Sequence, residues 1–167
     1  MRDTELAGEE RGGGGVRRLV VALVLVGMMG LGGELVLLEH TESVWQWVPL
    51  PVLAFGFATG VALLLRPAVA TVRAFQLAMA LFVVAGVLGV YLHFAGNIEF
   101  EREMDQALRG VALTWAAARG ATPALAPGAL AHLGLLGLAC TYRHPALRRE
   151  PAPRGAGGAA PIHTETR

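Results

Sequence analysis

The chain has 167 residues, of which 54% are hydrophobic and only 16% charged, and its formal net charge is +1. With a mean hydropathy of +0.50 it lies outside ordinary soluble composition, so a membrane protein is the first reading. A single cysteine, Cys140, excludes an internal disulfide framework.

In chain order, residues 1–17 are rich in Gly and Glu and read as a flexible cytoplasmic leader. Residues 18–144 read as an all-α membrane domain, a four transmembrane helix bundle. Its apolar stretches, 19–38, 48–65, 74–95 and 124–142, each approach the ~20 residues needed to cross a hydrocarbon core about 30 Å thick. The first contains Glu34, whose cost of roughly 2.5 to 3.5 kcal/mol at a helix centre is outweighed by many Leu and Val residues worth roughly 0.3 to 0.6 kcal/mol each. Arg17-Arg18 ahead of that stretch also resembles the start of a secretory signal peptide. The apolar run resumes after Glu34, however, and no A-x-A cleavage pattern follows.

The connections differ in character. Glu39 to Trp47 carries acids and two tryptophans but no arginine, while Arg66 to Arg73 carries two arginines and no acid. The third, Gly96 to Pro123, is long, and Gly96-Asn97 reads as its break from the third span. Within it Asp105 is placed to cap a helix over 105–119, with Leu108, Val111, Ala112 and Trp115 on one face. That segment is too short to span and is expected either to lie in the interface or to pack outside the membrane on the bundle end, in both cases as a lid over the outer ends of the spans. Residues 145–167, rich in Pro and Gly, read as a disordered cytoplasmic tail.

All fourteen basic residues are arginine, and eleven of them fall in the stretch up to Arg18, in the second connection and from Arg143 onward. Only Arg102, Arg109 and Arg119 lie on the other side. By the positive-inside rule this predicts a multi-pass protein of a bacterial inner membrane with both termini cytoplasmic, and Trp45 and Trp47 at the outer interface.

Soluble catalytic motifs are absent: the chain has no phosphate-binding Gly loop, no H-E-x-x-H, no C-x-x-C and no G-x-S-x-G. Nucleic-acid binding has little support, because the arginines flank spans, where topology already accounts for them, and no nucleic-acid partner is expected. The candidates are instead ionisable residues at span ends, which are expensive in lipid and usually face a bundle interior or cavity. Glu34 follows Gly27 and Gly30 at helical spacing, His93 and Asn97 follow Gly86 and Gly89, and His132 follows Gly128 with Leu135 and Ala139 beyond. Small residues let helices approach closely, so these faces are expected to be the packed ones.

Counting 1.5 Å per residue, Glu34 and His93 would lie about 6 Å or less inside the outer boundary and His132 about 12 Å. Glu34, His93 and His132 are therefore the first candidate metal ligands, with Glu39, His40, Asn97 and Glu101 as a second tier and Glu99 beside them. Such a group suits a metal ion, proton relay or haem ligation. The structural alternative is equally explicit: histidines at the wet interface, and Glu34 and His132 in hydrogen bonds between helices.

The stretches Leu37–Trp47, Leu92–Glu101 and Leu125–Pro145, taken together, resemble a group of small bacterial integral membrane proteins with no assigned activity. The resemblance implies a membrane fold and carries over no catalytic residue. The leading expectation is a non-enzymatic accessory or assembly protein in the lipid bilayer, joined by a second copy or another membrane protein. The alternatives are a metal- or haem-binding bundle open to the outer side and, third, a small oligomeric transporter.

Overall fold

The computed structural model describes residues 2–39, 44–120, 123 and 125–148, with side chains in the first helix from residue 13 onward. Six α-helices follow one another: α1 (Arg2–Leu37), α2 (Val44–Trp47), α3 (Pro49–Leu65), α4 (Val69–Met104), α5 (Gly110–Ala118) and α6 (Gly128–Thr141). A 3-10 turn, Pro145–Leu147, comes after them, and no strand occurs among the described residues.

Among the described residues, three segments are long and apolar enough to cross a membrane: Gly13–Leu37, Val44–Leu65 and Val69–Met104. Helix α6 is apolar but shorter, its 14 residues reaching about 21 Å. Leu23, Val26 and Met29 on α1, and Leu77, Val84 and Val87 on α4, are more than half exposed. Acyl chains of a bilayer are the natural solvent for such an apolar perimeter.

Helix α1 packs on α3 and α6, and α4 packs on the same two, so α1 and α4 face each other only diagonally. The core is made by Val21, Val24, Leu25 and Met28 of α1, Leu53 and Leu63 of α3, Phe75, Met79 and Phe82 of α4, and Leu130 of α6. It fills the half of the molecule where α1 enters the apolar region and α6 ends. Glycines permit the close approach. An ideal Cβ on Gly60 would lie 2.7 Å from a Leu25 methyl, and one on Gly27 would lie 2.7 Å from a Leu133 methyl. Hydroxyls inside this core bond their own helices. Thr59 donates to the Phe55 carbonyl at 2.9 Å and Thr141 to the Gly137 carbonyl at 2.8 Å.

The elements depart from the sequence expectation in four places. Helix α1 runs from Arg2 through Gly12–Gly15, where a flexible leader was expected; once a helix is propagating, each added residue forms one further bond. Helix α4 starts at Val69 because the Thr71 hydroxyl accepts the Ala68 N–H at 2.9 Å, half of a capping box. It then continues without a break through Gly96-Asn97 to Met104, a length of about 54 Å.

The short helix in the third connection spans only Gly110–Ala118, and Asp105 ends α4 rather than starting α5. The Asp105 carboxylate accepts the Ala107 N–H at 2.8 Å, an Asx turn that reverses the chain. Finally, Pro145–Leu147 forms an ordered turn against α4 at the start of the expected tail. The remainder of that tail, from 149, lies outside the described residues.

Candidate functional site

The geometry is organised by one face of α4. Gly86, Gly89, His93 and Asn97 were expected to share a packed face, and each of them meets the chain returning from α5 into α6. A Cβ on Gly86 would lie 2.8 Å from the Ala131 Cβ, and one on Gly89 would lie 2.7 Å from the Pro127 Cβ. His93 Nδ1 is 3.3 Å from the Pro123 carbonyl oxygen. Asn97 Nδ2 donates to the Ala117 carbonyl at 2.9 Å, and a Cβ on Gly120 would lie 2.7 Å from the Asn97 side-chain amide carbon.

Each step of three or four residues up α4 is thus matched by three or four down the returning chain. Lower down, a Cβ on Gly134 would meet Phe82 and the Met79 carbonyl, and Gln76 Nε2 donates to the Thr141 carbonyl at 3.2 Å. The antiparallel register holds from Gln76 to Asn97, roughly 32 Å.

Within this seam the polar residues have definite work. The Ala117 carbonyl in the last turn of α5 accepts the Gly120 N–H at 3.3 Å, and Asn97, only 3% exposed, supplies it with a further donor from α4. The Pro123–Pro127 stretch is short of N–H groups because proline lacks one, and the His93 imidazole lies against its first carbonyl.

The other candidates stand elsewhere. On α6 the packed face is Leu130, Gly134, Gly137 and Thr141, so His132, Leu135 and Ala139 point outward and are exposed. His132 Nδ1 is 3.2 Å from the Gly128 carbonyl of its own helix. This corrects the expectation that His132 lies on the packed face of its span. Glu34 is exposed on α1, where Gly30 and Gly33 have no neighbour within 4 Å of a would-be Cβ.

Glu39 closes α1 in the left-handed region, with φ 49°, as helix-ending residues often do. Glu99 is exposed and Glu101 half-buried on the projecting part of α4. His40 lies outside the described residues. Among the described residues, no group of three or more His, Cys, Asp or Glu side chains is arranged to hold a metal ion. The expected convergence of Glu34, His93 and His132 is therefore not what the packing produces.

Helix α5 packs on α4 and on no other helix among the described elements, so it does not cover the ends of the remaining spans. Its buried face is Leu113 and Ala117, one step around from the expected set; Val111 and Trp115 are 87% and 63% exposed. The Arg119 guanidinium lies 5.8 Å from the Trp115 ring centroid, a cation–π distance.

Removing the Asn97 amide tests the seam directly. In Asn97→Ala the Ala117 carbonyl keeps the Gly120 N–H and loses the tie to α4, which costs about 0.5 to 1.5 kcal/mol. Amide exchange across Gly110–Ala118 should accelerate roughly 2- to 12-fold while α4 below Gly86 stays protected. Unchanged exchange in α5 would mean that the Leu113–Ala117 face alone holds it.

Sequence reasoning passed over Gln76, Arg17 and His144. Arg17 Nε donates to the Cys140 carbonyl at 2.8 Å, tying the start of one apolar helix to the end of another. Arg17 could have been singled out by its position immediately ahead of an apolar run, where a basic side chain reaches neighbouring helix-end carbonyls. No family model, no curated protein and no solved structure matches this chain.

Proposed function

We propose that the protein is a four-span integral protein of a bacterial inner membrane, with both termini cytoplasmic, that acts as an accessory or assembly partner. The observation that carries this reading is the α4–α5 hairpin. The third apolar helix continues well beyond the length a bilayer requires, and α5 folds back on it, secured at Asn97. The hairpin presents Phe100, Met104, Val111 and Trp115 outward. His93 and Asn97 hold that hairpin and the returning chain, a structural task.

The threading is supported by the eleven-to-three division of arginines. The ties of Arg17 to Cys140 and of Gln76 to Thr141 also favour an even number of crossings, since they join helix starts to the end of α6.

Two experiments test this. In intact cells an impermeant thiol reagent should label Ser43→Cys and leave Cys140 and Gly158→Cys untouched; the reverse pattern would overturn the threading. Photocrosslinking residues placed at Val111 and Trp115 should give a discrete protein adduct, with a second copy or another membrane protein, and one at buried Leu113 should not. Adducts to lipid alone would end the accessory reading. Stoichiometric metal or a haem absorption band in protein purified in mild detergent would replace it.

A further inference from the structure

At the end of the bundle opposite the hairpin, a cavity of about 200 Å³ opens between α1, the end of α3 and the 3-10 turn. Arg17, Arg18 and His144 line it together with Val21, Leu63 and Leu64, and no carboxylate does so among the described residues. The polar groups sit where the apolar part of α1 begins and α3 ends, with the three aliphatic side chains forming the wall on the membrane side.

The chemistry of this set is one-sided. Arg17 is fixed through its Nε bond to the Cys140 carbonyl. A guanidinium has five N–H donors, and its terminal nitrogens have no partner among the described residues. Arg18 is exposed beside it and likewise makes no ion pair among the described residues. His144 is only 9% exposed, and its Nδ1 accepts the Ala146 N–H at 3.1 Å. The neutral ring therefore carries its proton on Nε2, as a donor. Burial, and secondarily the Arg17 charge, hold the His144 imidazole below its ordinary range, which favours that neutral donor form.

We propose that this cavity is a binding site for a phosphate oxyanion, held by Arg17 and Arg18 with His144 as a neutral donor. Arginine presents paired N–H groups that match phosphate oxygens, and basic pockets between membrane helices at the headgroup level take anionic lipid headgroups. Val21, Leu63 and Leu64 extend the site toward the acyl region, which suits a phosphate borne by a lipid. The same donors would accept free phosphate. The site does not depend on which way the chain is threaded.

The test uses the full chain in dodecyl maltoside, titrated with phosphatidylglycerol, phosphatidylcholine or inorganic phosphate, with retained lipid read by native mass spectrometry and stabilisation by thermal unfolding. Phosphatidylglycerol is expected to be retained and to raise the melting temperature, and phosphatidylcholine to do neither. Arg18→Gln should weaken phosphatidylglycerol binding about fivefold, while Arg73→Gln, an exposed arginine outside the cavity, should leave it unchanged. Since Arg18 makes no bond that holds the fold, its variant should elute and melt like the parent without lipid.

Stabilisation by inorganic phosphate that Arg18→Gln abolishes, with no response to lipid, would keep the oxyanion site and assign free phosphate as its source. Equal retention of both lipids, or equal weakening by Arg18→Gln and Arg73→Gln, would overturn the proposal in favour of diffuse surface charge.

Discussion

Gly86→Ala is expected to destabilise the protein by about 2 kcal/mol, although alanine is the better helix former. A Cβ at Gly86 would lie 2.5 Å from the Ala131 backbone nitrogen and 3.0 Å from its Cα. Backbone cannot rotate aside as the far end of a side chain can, so α4 and α6 must move apart. The propensity gain of up to about 1 kcal/mol then loses to an overpacking cost of roughly 1 to 3 kcal/mol, here at its upper end. Gly134→Ala should behave alike, since its Cβ would lie 2.6 Å from the Met79 carbonyl oxygen. Gly30→Ala and Gly33→Ala provide the contrast: nothing lies within 4 Å of either, so these variants should be neutral or slightly stabilising. Unfolding in mixed detergent micelles distinguishes the two classes, and a Gly86→Ala protein as stable as the parent would show that the seam is looser than described.

Phe82→Ala should cost about 3 kcal/mol, toward the lower end of the range for such truncations. The reason lies in the solvent. In a bilayer the unfolded reference is itself apolar, so little transfer free energy is lost, and the deficit comes from vanished dispersion contacts around the hole. Those contacts are extensive, because Phe82 is fully buried and its ring sits 2.6 Å from a would-be Cβ on Gly56 of α3, with Gly134 of α6 against its own Cβ. Leu81→Ala, next to it but 42% exposed, should change stability little.

The pair Gly56 and Phe82 gives a sharper result. Gly56→Ala alone collides with the ring, whereas in a Phe82→Ala background the same methyl enters vacated space. The double variant should therefore be more stable than the sum of the two single effects by about 1 to 2 kcal/mol. Strict additivity would place the ring elsewhere.

The amino-acid sequence revealed the long apolar helices because twenty-odd apolar residues in a row carry their own signal, independent of partners. It also picked the correct face of α4, where Gly86 and Gly89 lead into His93 and Asn97. It chose the wrong face of α6, for an identifiable reason: small residues occur there on two neighbouring strings, Gly128–His132–Leu135–Ala139 and Ala131–Gly134–Gly137. Only the position of Met79 and Phe82 across the interface decides between them. Asp105 was ambiguous in a similar way, since a carboxylate accepting a backbone N–H serves a helix start and a turn equally well. Gly96-Asn97 looked like a break, yet the helix carries through it because the Asn97 amide finds its partner on α5, some twenty residues away. The cluster of Arg17, Arg18 and His144 was invisible for the plainest reason: His144 is far in the chain from the adjacent arginines and joins them only when the start of the apolar part of α1 is tied to the end of α6.

The matched register along α4 also dictates where the chain can vary in length. Above Asn97 and Gly120 the two limbs are already joined, so residues 98–119 form a closed excursion whose enlargement adds only a slowly growing entropic term. An epitope inserted between Gln106 and Ala107 should leave the membrane-embedded part undisturbed. A single residue added inside α6, between Ala131 and Gly134, would instead turn every later residue about 100° around the helix axis, carrying Gly134 away from Phe82 and Thr141 away from Gln76. Insertions and deletions in this half of the protein should therefore accumulate at the hairpin tip and be purged from the descending limb, a pattern of permitted and forbidden lengths written by backbone spacing.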